Sequence, residues 1–105
     1  MDPISDLGFF SLLVRQGSLS AAARELGLST PAVSKRLQRL ERRLGVRLLH
    51  RTTRRIALTD EGEVYLRDGT RILGEVEELE HTVGRSRDEP RGLLRINATL
   101  GFGRH

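Results

Sequence analysis

The chain has 105 residues, of which 37% are hydrophobic and 30% are charged, and its formal net charge is +4. This composition is typical of one globular domain with an appendage and excludes a disordered or fibrous chain. Cysteine is absent, which excludes disulfides, thiolate zinc sites and cysteine nucleophiles, and the histidines are too far apart in sequence for a local metal site. With no apolar run long enough to span a bilayer and no secretory signal, we expect a cytoplasmic protein without a cofactor or a membrane partner.

Positive and negative charges are segregated along the chain. Residues 30–56 contain nine basic residues and one acidic residue, whereas residues 57–89 contain ten acidic and four basic residues. A basic block beside an acidic block indicates an anionic partner for the first, and solvent or a partner chain for the second. An isolated basic run is more often a solvated helix face, so the motifs within the block decide between the two.

Two amphipathic helices are predicted at the start of the chain. The first covers about residues 4–16 and stops at Gly17. Its apolar residues at helical spacing are Leu7, Phe10, Leu13 and Val14. Ser18 is a good N-cap for the second helix, residues 19–26, which carries three consecutive alanines and ends before Gly27.

A third helix is predicted three residues later. It opens at Thr30, with Pro31 at the first helical position, where the missing N–H has no cost, and it closes at Gly45. Its predicted buried stripe consists of Val33, Leu37, Leu40 and Leu44. The second and third helices are thus joined by a short turn that contains glycine, as in a helix-turn-helix.

The pattern then changes period twice. Residues 46–51 and 55–59 are short β-like runs that predict a small hairpin. A long fourth helix is predicted over residues 60–84, followed by a polar, proline-containing hinge over residues 85–91. Residues 92–105 begin with an apolar run that has no partner strand in the chain, so we interpret them as the start of a truncated second domain.

Apolar residues of the fourth helix form two strips. One strip alternates spacings of four and three, and Gly69 weakens its middle, while Leu66 and Leu73 form a second strip beside it. A single intramolecular core could cover both strips, but a domain this small offers little surface to do so. We therefore predict a homodimer, with a tetramer as the alternative in the full-length protein. The predicted interface residues are Tyr65, Ile72, Val76, Leu79 and Val83.

The outer face of the third helix carries residue types that read DNA. Lysine donates to guanine, serine and threonine donate or accept, and apolar atoms contact the thymine methyl group. The predicted base-contacting residues are Thr30, Pro31, Ser34, Lys35 and Gln38. Helix initiation alone would explain Thr30 and Pro31, whereas a serine in the middle of a helix surface, such as Ser34, needs a further reason.

A second set of basic and hydroxyl residues is predicted to contact the DNA backbone or the neighbouring minor groove. This set consists of Ser18, Ser20, Arg36, Arg39, Arg43, Arg51, Arg54 and Arg55. For Ser18, helix capping is a sufficient alternative, and for Arg54 and Arg55 the alternative is a solvated turn. For Arg36, Arg39 and Arg43 the alternatives are ion pairs within the protein or solvation.

Three other functions compete with double-stranded DNA binding. A dimerisation module whose basic face binds a protein or a membrane surface would share the charge pattern, but the helix-turn-helix spacing disfavours it. An enzyme lacks support because the sequence has no glycine-rich phosphate loop and no nucleophile with a paired base. RNA binding is disfavoured because the aromatic residues form no stacking platform.

Several segments in register resemble the LysR-type transcriptional regulators. The signature of their helix-turn-helix is similar to GSLSAAA at residues 17–23, LGLS at 26–29 and PAVSKRL at 31–37. Residues 44–51 (LGVRLLHR) and 58–62 (LTDEG) resemble the wing and the entry to the linker helix of this family. Thr30 stands where many members carry glutamine, and Lys35 where many carry arginine.

The resemblance implies a mainly α fold, a winged helix-turn-helix with a three-helix core and a β-hairpin wing, followed by a long dimerisation linker helix. The winged domain would cover residues 1–59. It also implies that Thr30, Pro31, Ser34, Lys35 and Arg54 contact DNA. A small-molecule effector would bind only through the missing second domain.

Overall fold

The computed structural model describes residues 2–50 and 55–88, and these residues form four helices. The helices are α1 (Pro3–Gln16), α2 (Leu19–Leu26), α3 (Thr30–Leu44) and α4 (Asp60–Asp88). Contacts divide the chain into two units, Met1–Leu73 and Gly74–His105, and the core described below lies in the first. The predicted bounds of the first three helices are confirmed to within one residue.

Each of these three helices begins with a side-chain cap. The Ser18 hydroxyl accepts a hydrogen bond from the Ala21 N–H at 3.1 Å, and the Ser29 hydroxyl accepts one from the Ala32 N–H at 3.2 Å. Asp2 caps α1 in the same manner. These bonds satisfy backbone donors that have no partner within the first turn of a helix.

Replacing Ser29 by alanine is expected to lower the free energy of unfolding by about 1 kcal/mol, because the Ala32 N–H at the start of α3 loses its acceptor. Ser29→Asn should restore most of that loss, since asparagine caps helices as well as serine does. Chemical denaturation of the three proteins, followed by circular dichroism, measures the difference. Equal stabilities of the alanine and asparagine variants would contradict the assignment of Ser29 as the cap.

The turn between α2 and α3 is short because a glycine makes it. Gly27 has a φ of 69°, in the left-handed region, where a residue with a β-carbon is strained. The next residue, Leu28, donates its N–H to the Ala23 carbonyl at 2.9 Å and so closes α2. Helix α3 then begins at Thr30 as predicted, with Pro31 as its second residue rather than its first.

The core lies between α1, α2, α3 and the residues that follow α3. Its buried members are Phe9, Phe10, Leu13, Ala22, Ala23, Val33, Leu37, Leu40, Leu48 and Leu49. The predicted stripe of α3 is confirmed at Val33, Leu37 and Leu40, but Leu44 is 37% exposed. Glu41, which is 6% exposed, takes the next buried position instead.

The predicted β-hairpin does not form regular strands in the part of the chain that the structure describes. Residues 46–50 and 55–59, hereafter the wing segments, pair through one isolated antiparallel bridge between Leu49 and Leu58. Two backbone hydrogen bonds support it, from the His50 N–H to the Ala57 carbonyl (2.8 Å) and from the Thr59 N–H to the Leu48 carbonyl (3.0 Å).

The pairing is short because its donors are used elsewhere. The N–H groups of Leu48 and Leu49 both point to the carboxylate of Glu41 on α3 rather than to a facing strand. On the return segment, the Ile56 N–H donates to the Gly17 carbonyl at 3.0 Å, which ties the wing to the turn between α1 and α2. Residues 51–54, the predicted tip, lie outside the described residues.

Helix α4 is longer than the sequence predicted, since it continues to Asp88 rather than ending at residue 84. Residues 84–88 contain no proline, and the first residue that disfavours a helical predecessor is Pro90. The predicted hinge over residues 85–91 therefore begins within the helix. The apolar run predicted over residues 92–105 lies outside the described residues.

The first half of α4 packs on the rest of its unit through two buried glycines. A β-carbon at Gly62 would overlap the Leu48 carbonyl oxygen, and one at Gly69 would lie 2.6 Å from Leu7 Cδ2. Gly69 was predicted as a weak point of the seam, but in the structure it is a position where α4 packs closely against the Leu7 side chain.

Candidate nucleic-acid interface

Helix α3 presents a polar stripe on the side away from its buried face. Four of the predicted base-contacting residues are exposed and Ser34 is half-buried; the exposed ones are Thr30, Pro31, Lys35 and Gln38. Arg39, one turn beyond Lys35, is exposed as well. The helix N-terminus adds a positive dipole end at Thr30, which favours contact with phosphate oxygens or base acceptors.

The start of α2 lies beside the returning wing segment. Ser18 and Arg55 form an isolated antiparallel bridge, and the Ser18 and Ser20 hydroxyl oxygens are 3.4 Å apart. Ser20 and Arg55 are exposed, whereas Ser18 is half-buried and its hydroxyl already caps α2. The fold therefore brings together three residues that were predicted to contact the DNA backbone from separate parts of the sequence.

Two arginines of the same predicted set are held by α1. The Arg36 guanidinium lies 4.4 Å from the centre of the Phe9 ring, and its Nη2 donates to the Ser5 hydroxyl at 2.8 Å. Arg43 Nη2 forms an ion pair with Asp6 Oδ2 at 2.8 Å. These contacts fix α3 against α1, so both arginines help to position α3.

Asp6 and Arg43 lie next to Tyr65 of α4. The Tyr65 ring packs edge-on against Phe10, with centroids 5.3 Å apart. Burial raises the pKa of the Tyr65 hydroxyl above its usual value of 10.0; the negative charge of Asp6 adds to this rise, and Arg43 opposes it. Tyr65 is half-buried, with its ring packed on the core of its own chain, and its place in a dimer interface stays a prediction.

The remaining residues of the predicted interface are apolar positions of α4 with considerable exposure. Leu79 is 62% exposed, Val83 57% and Ile72 37%, while Val76 is half-buried. Large apolar side chains rarely remain exposed at regular helical spacing unless another helix covers them.

Three residues on which this arrangement depends were not predicted from the sequence: Asp6, Glu41 and Gly62. Asp6, in the first turn of α1, resembles an acid that merely favours the helix dipole, although it is fully buried. Glu41 did leave a signal, because it is the only acid among residues 30–56. Gly62 left none, since nothing in the local pattern indicates which backbone atom it faces.

Within residues 2–50 and 55–88, no helix is both long and apolar enough to cross a membrane. Over the same residues, His, Asp and Glu side chains do not gather into a group of three that could hold a metal ion. Arg51 and Arg54 of the predicted backbone-contacting set lie outside the described residues.

The family model of bacterial regulatory helix-turn-helix proteins of the lysR family matches residues 4–63, which cover α1 to α3, the wing segments and the start of α4. The chain belongs to the LysR family. Its helix-turn-helix is therefore that of a LysR-type transcriptional regulator, as the sequence predicted.

Relatives of known name support the assignment. The chain is 49% identical over 100 residues to an HTH-type transcriptional regulator of Xanthomonas campestris pv. campestris, covering 95% of this chain and 29% of that protein. It is 45% identical over 101 residues to the regulator DmlR of Escherichia coli, covering 96% of this chain and 33% of that protein. The chain thus spans about a third of the length of the LysR-type relatives that it matches.

Solved structures similar to this LysR-type chain include DNA complexes. The BenM_DBD/catB site 1 DNA complex has a TM-score of 0.80 at 26% identity, covering 90% of this chain and 100% of that one. The CbnR_DBD–DNA complex has a TM-score of 0.67 at 36% identity, covering 87% and 100%.

Proposed function

We propose that this chain is the operator-reading part of a dimeric LysR-type regulator, in which α3 enters the major groove of double-stranded DNA. The observation that carries the proposal is the polar stripe of α3, opposite a face that is buried throughout from Val33 to Leu40. Because the buried face and the Asp6 and Ser5 contacts fix the helix, the stripe is presented as a rigid surface. Rigid presentation lowers the entropy cost of specific contacts.

Within this proposal, α3 supplies the base contacts and its surroundings supply the backbone contacts. Arg39 and Arg55 are the exposed arginines best placed for phosphates, and the hydroxyls of Ser18 and Ser20 stand at the positive end of α2. The proposed base-contacting set stays as the sequence predicted it: Thr30, Pro31, Ser34, Lys35 and Gln38.

The dimer would form through α4, by way of the exposed residues Ile72, Leu79 and Val83 and the half-buried residues Tyr65 and Val76. A second copy would then place its own α3 at a symmetry-related half-site, so the operator should be an interrupted inverted repeat with half-sites about one helical turn or a multiple apart. Further parts of the proposal are a cytoplasmic location, a tetramer as the alternative in the full-length protein, and a small-molecule effector that binds outside this helix-turn-helix.

In vitro selection of duplex sites from a random library, at moderate salt, tests the proposal. Salt suppresses phosphate attraction that is independent of sequence, so enrichment reports base readout. An enriched interrupted inverted repeat is the expected result. Binding that disappears with salt and enriches nothing would refute it, and would favour a basic surface that binds a protein or a membrane instead.

Lys35→Ala is expected to relax base preference at one or two base pairs and to weaken binding to the selected site by about 1–3 kcal/mol, because a base donor is lost. Arg39→Ala is the matched comparison, since this exposed arginine is predicted to meet phosphate and should weaken selected and random duplexes alike. Fluorescence anisotropy on both duplexes separates the two effects. Equal losses of Lys35→Ala on the selected and random duplexes would contradict its assignment as a base-contacting residue.

A further inference from the structure

Glu41 accepts hydrogen bonds from several backbone N–H groups of the segment that joins α3 to the wing. Its backbone carbonyl accepts hydrogen bonds from the N–H of Gly45 at 2.8 Å and of Val46 at 3.2 Å. Its side-chain Oε2 accepts from the N–H of Leu48 at 2.8 Å and of Leu49 at 3.3 Å. Four of the backbone donors that follow α3 are thus bound to one residue of that helix.

The side chain of Glu41 is unusual for its place. It occupies the buried stripe that continues from Val33, Leu37 and Leu40, where an apolar residue would complete the core. A buried carboxylate is costly unless it is hydrogen-bonded, and charge-assisted bonds to backbone N–H groups are about twice as strong as neutral ones. An acid here therefore fixes the first wing segment to α3 more firmly than apolar packing, which has no preferred direction.

From Leu48 and Leu49 the constraint extends to the return segment. Leu49 bridges Leu58, and the Leu48 carbonyl accepts the Thr59 N–H, so residues 55–59 are aligned on a segment that Glu41 holds. Arg55 lies at the start of this return segment and is exposed. The bond from the Ile56 N–H to the carbonyl of Gly17, the residue that ends α1, is a second anchor.

We propose that Glu41 is a positioning residue for DNA binding, which sets the wing relative to α3 so that both reach the same duplex in register. Glu41 does not itself contact DNA; it acts through Leu48 and Leu49 on Arg55. This inference rests on the proposed DNA-binding function. It predicts that the contribution of Arg55 to affinity depends on Glu41, whereas the contribution of Lys35 does not.

A double-mutant cycle on the duplex selected by the wild-type chain tests this dependence, because such cycles isolate the coupling between two residues. Arg55→Ala should weaken binding about fivefold in the wild-type background and by less than about twofold in Glu41→Leu, which fills the space but offers no acceptor. Glu41→Gln keeps an oxygen acceptor without the charge, so the coupling should fall only part of the way. Lys35→Ala should cause the same loss in all backgrounds.

Glu25→Leu is the matched control, since it removes the same charge from an exposed position on α2 and should leave the coupling unchanged. Circular dichroism tests whether each variant is folded. If Glu41→Leu does not fold, Glu41→Gln takes its place in the double-mutant cycle. An Arg55→Ala loss that is the same with and without Glu41 would overturn the inference and assign the positioning of the wing to the Gly17 anchor. If the wild-type chain selects no duplex site, the proposed function fails instead, which is a distinct result.

Discussion

Gly62→Ala is expected to lower the free energy of unfolding by about 2–3 kcal/mol, although alanine is the better helix former. The added methyl group would overlap the carbonyl oxygen of Leu48, and a backbone carbonyl cannot move aside as a side chain can. That carbonyl also accepts the Thr59 N–H, and the Thr59 hydroxyl accepts the Gly62 N–H at 3.0 Å. Relieving the overlap would therefore strain both bonds and shift the start of α4 from the wing. Urea denaturation at fixed protein concentration measures the change.

Two other glycines of α4 provide graded controls in the same helix. A β-carbon at Gly69 would meet the end of the flexible Leu7 side chain, so Gly69→Ala should cost less, about 1 kcal/mol. Apart from the neighbouring residues and backbone of α4 itself, no described atom lies within 4 Å of a β-carbon at Gly74, so Gly74→Ala should stabilise the chain by about 0.5–1 kcal/mol. If Gly62→Ala proved as stable as Gly74→Ala, α4 would not lie against Leu48 in solution.

Arg43→Ala is expected to destabilise the domain by about 2–4 kcal/mol, because it leaves the carboxylate of Asp6 buried without its counter-charge. Arg43 supplies the hydrogen bond that Asp6 Oδ2 accepts, and Asp6 Oδ1 has no partner among the described residues. Removing a partner of a buried pair costs more than the pair contributes, since the remaining charge cannot regain water. Thermal and urea denaturation of the variant measure the loss.

Arg42→Ala is the matched control for this experiment. Arg42 is the neighbouring arginine of α3 and is exposed, so its removal should change the stability by less than about 0.5 kcal/mol. Asp6→Asn combined with Arg43→Ala should recover part of the loss, because the unpaired charge is gone. Equal stabilities of Arg43→Ala and Arg42→Ala would show that the ion pair with Asp6 contributes nothing. A general loss of DNA affinity in Arg43→Ala would then report a direct phosphate contact, as the sequence predicted.

Local signals predicted the elements that local physics determines. The caps and left-handed glycines that bound α2, and the apolar spacing on α3, depend on residues within one turn of each other. The outward stripe from Thr30 to Gln38 followed directly from identifying the inner face. The residues that α3 exposes were therefore predictable from the sequence.

Interactions between distant residues were not accessible in the same way. The residues that donate to the Glu41 carboxylate lie seven and eight positions further along the chain. Asp6 and Arg43, which pair with each other, are separated by 37 residues. Periodicity reports only that a position faces inward, so it predicted an apolar Leu44 in the core and no role for Glu41. The prediction of a regular hairpin was wrong for a related reason. The N–H groups of Leu48 and Leu49 bind the side chain of Glu41 on α3, which a β-like sequence pattern does not indicate.

The packing of the first turns of α4 determines where a folded fragment of this chain can end. The predicted domain boundary at residue 59 separates the helix-turn-helix from α4, yet the compact unit extends to Leu73 and includes Gly62, Tyr65 and Gly69. The first turns of α4 are thus part of the same folded unit as the helix-turn-helix. A fragment that ends at residue 59 would leave the Phe10 ring and the Leu48 backbone uncovered, so a fragment meant to fold on its own should extend to Leu73.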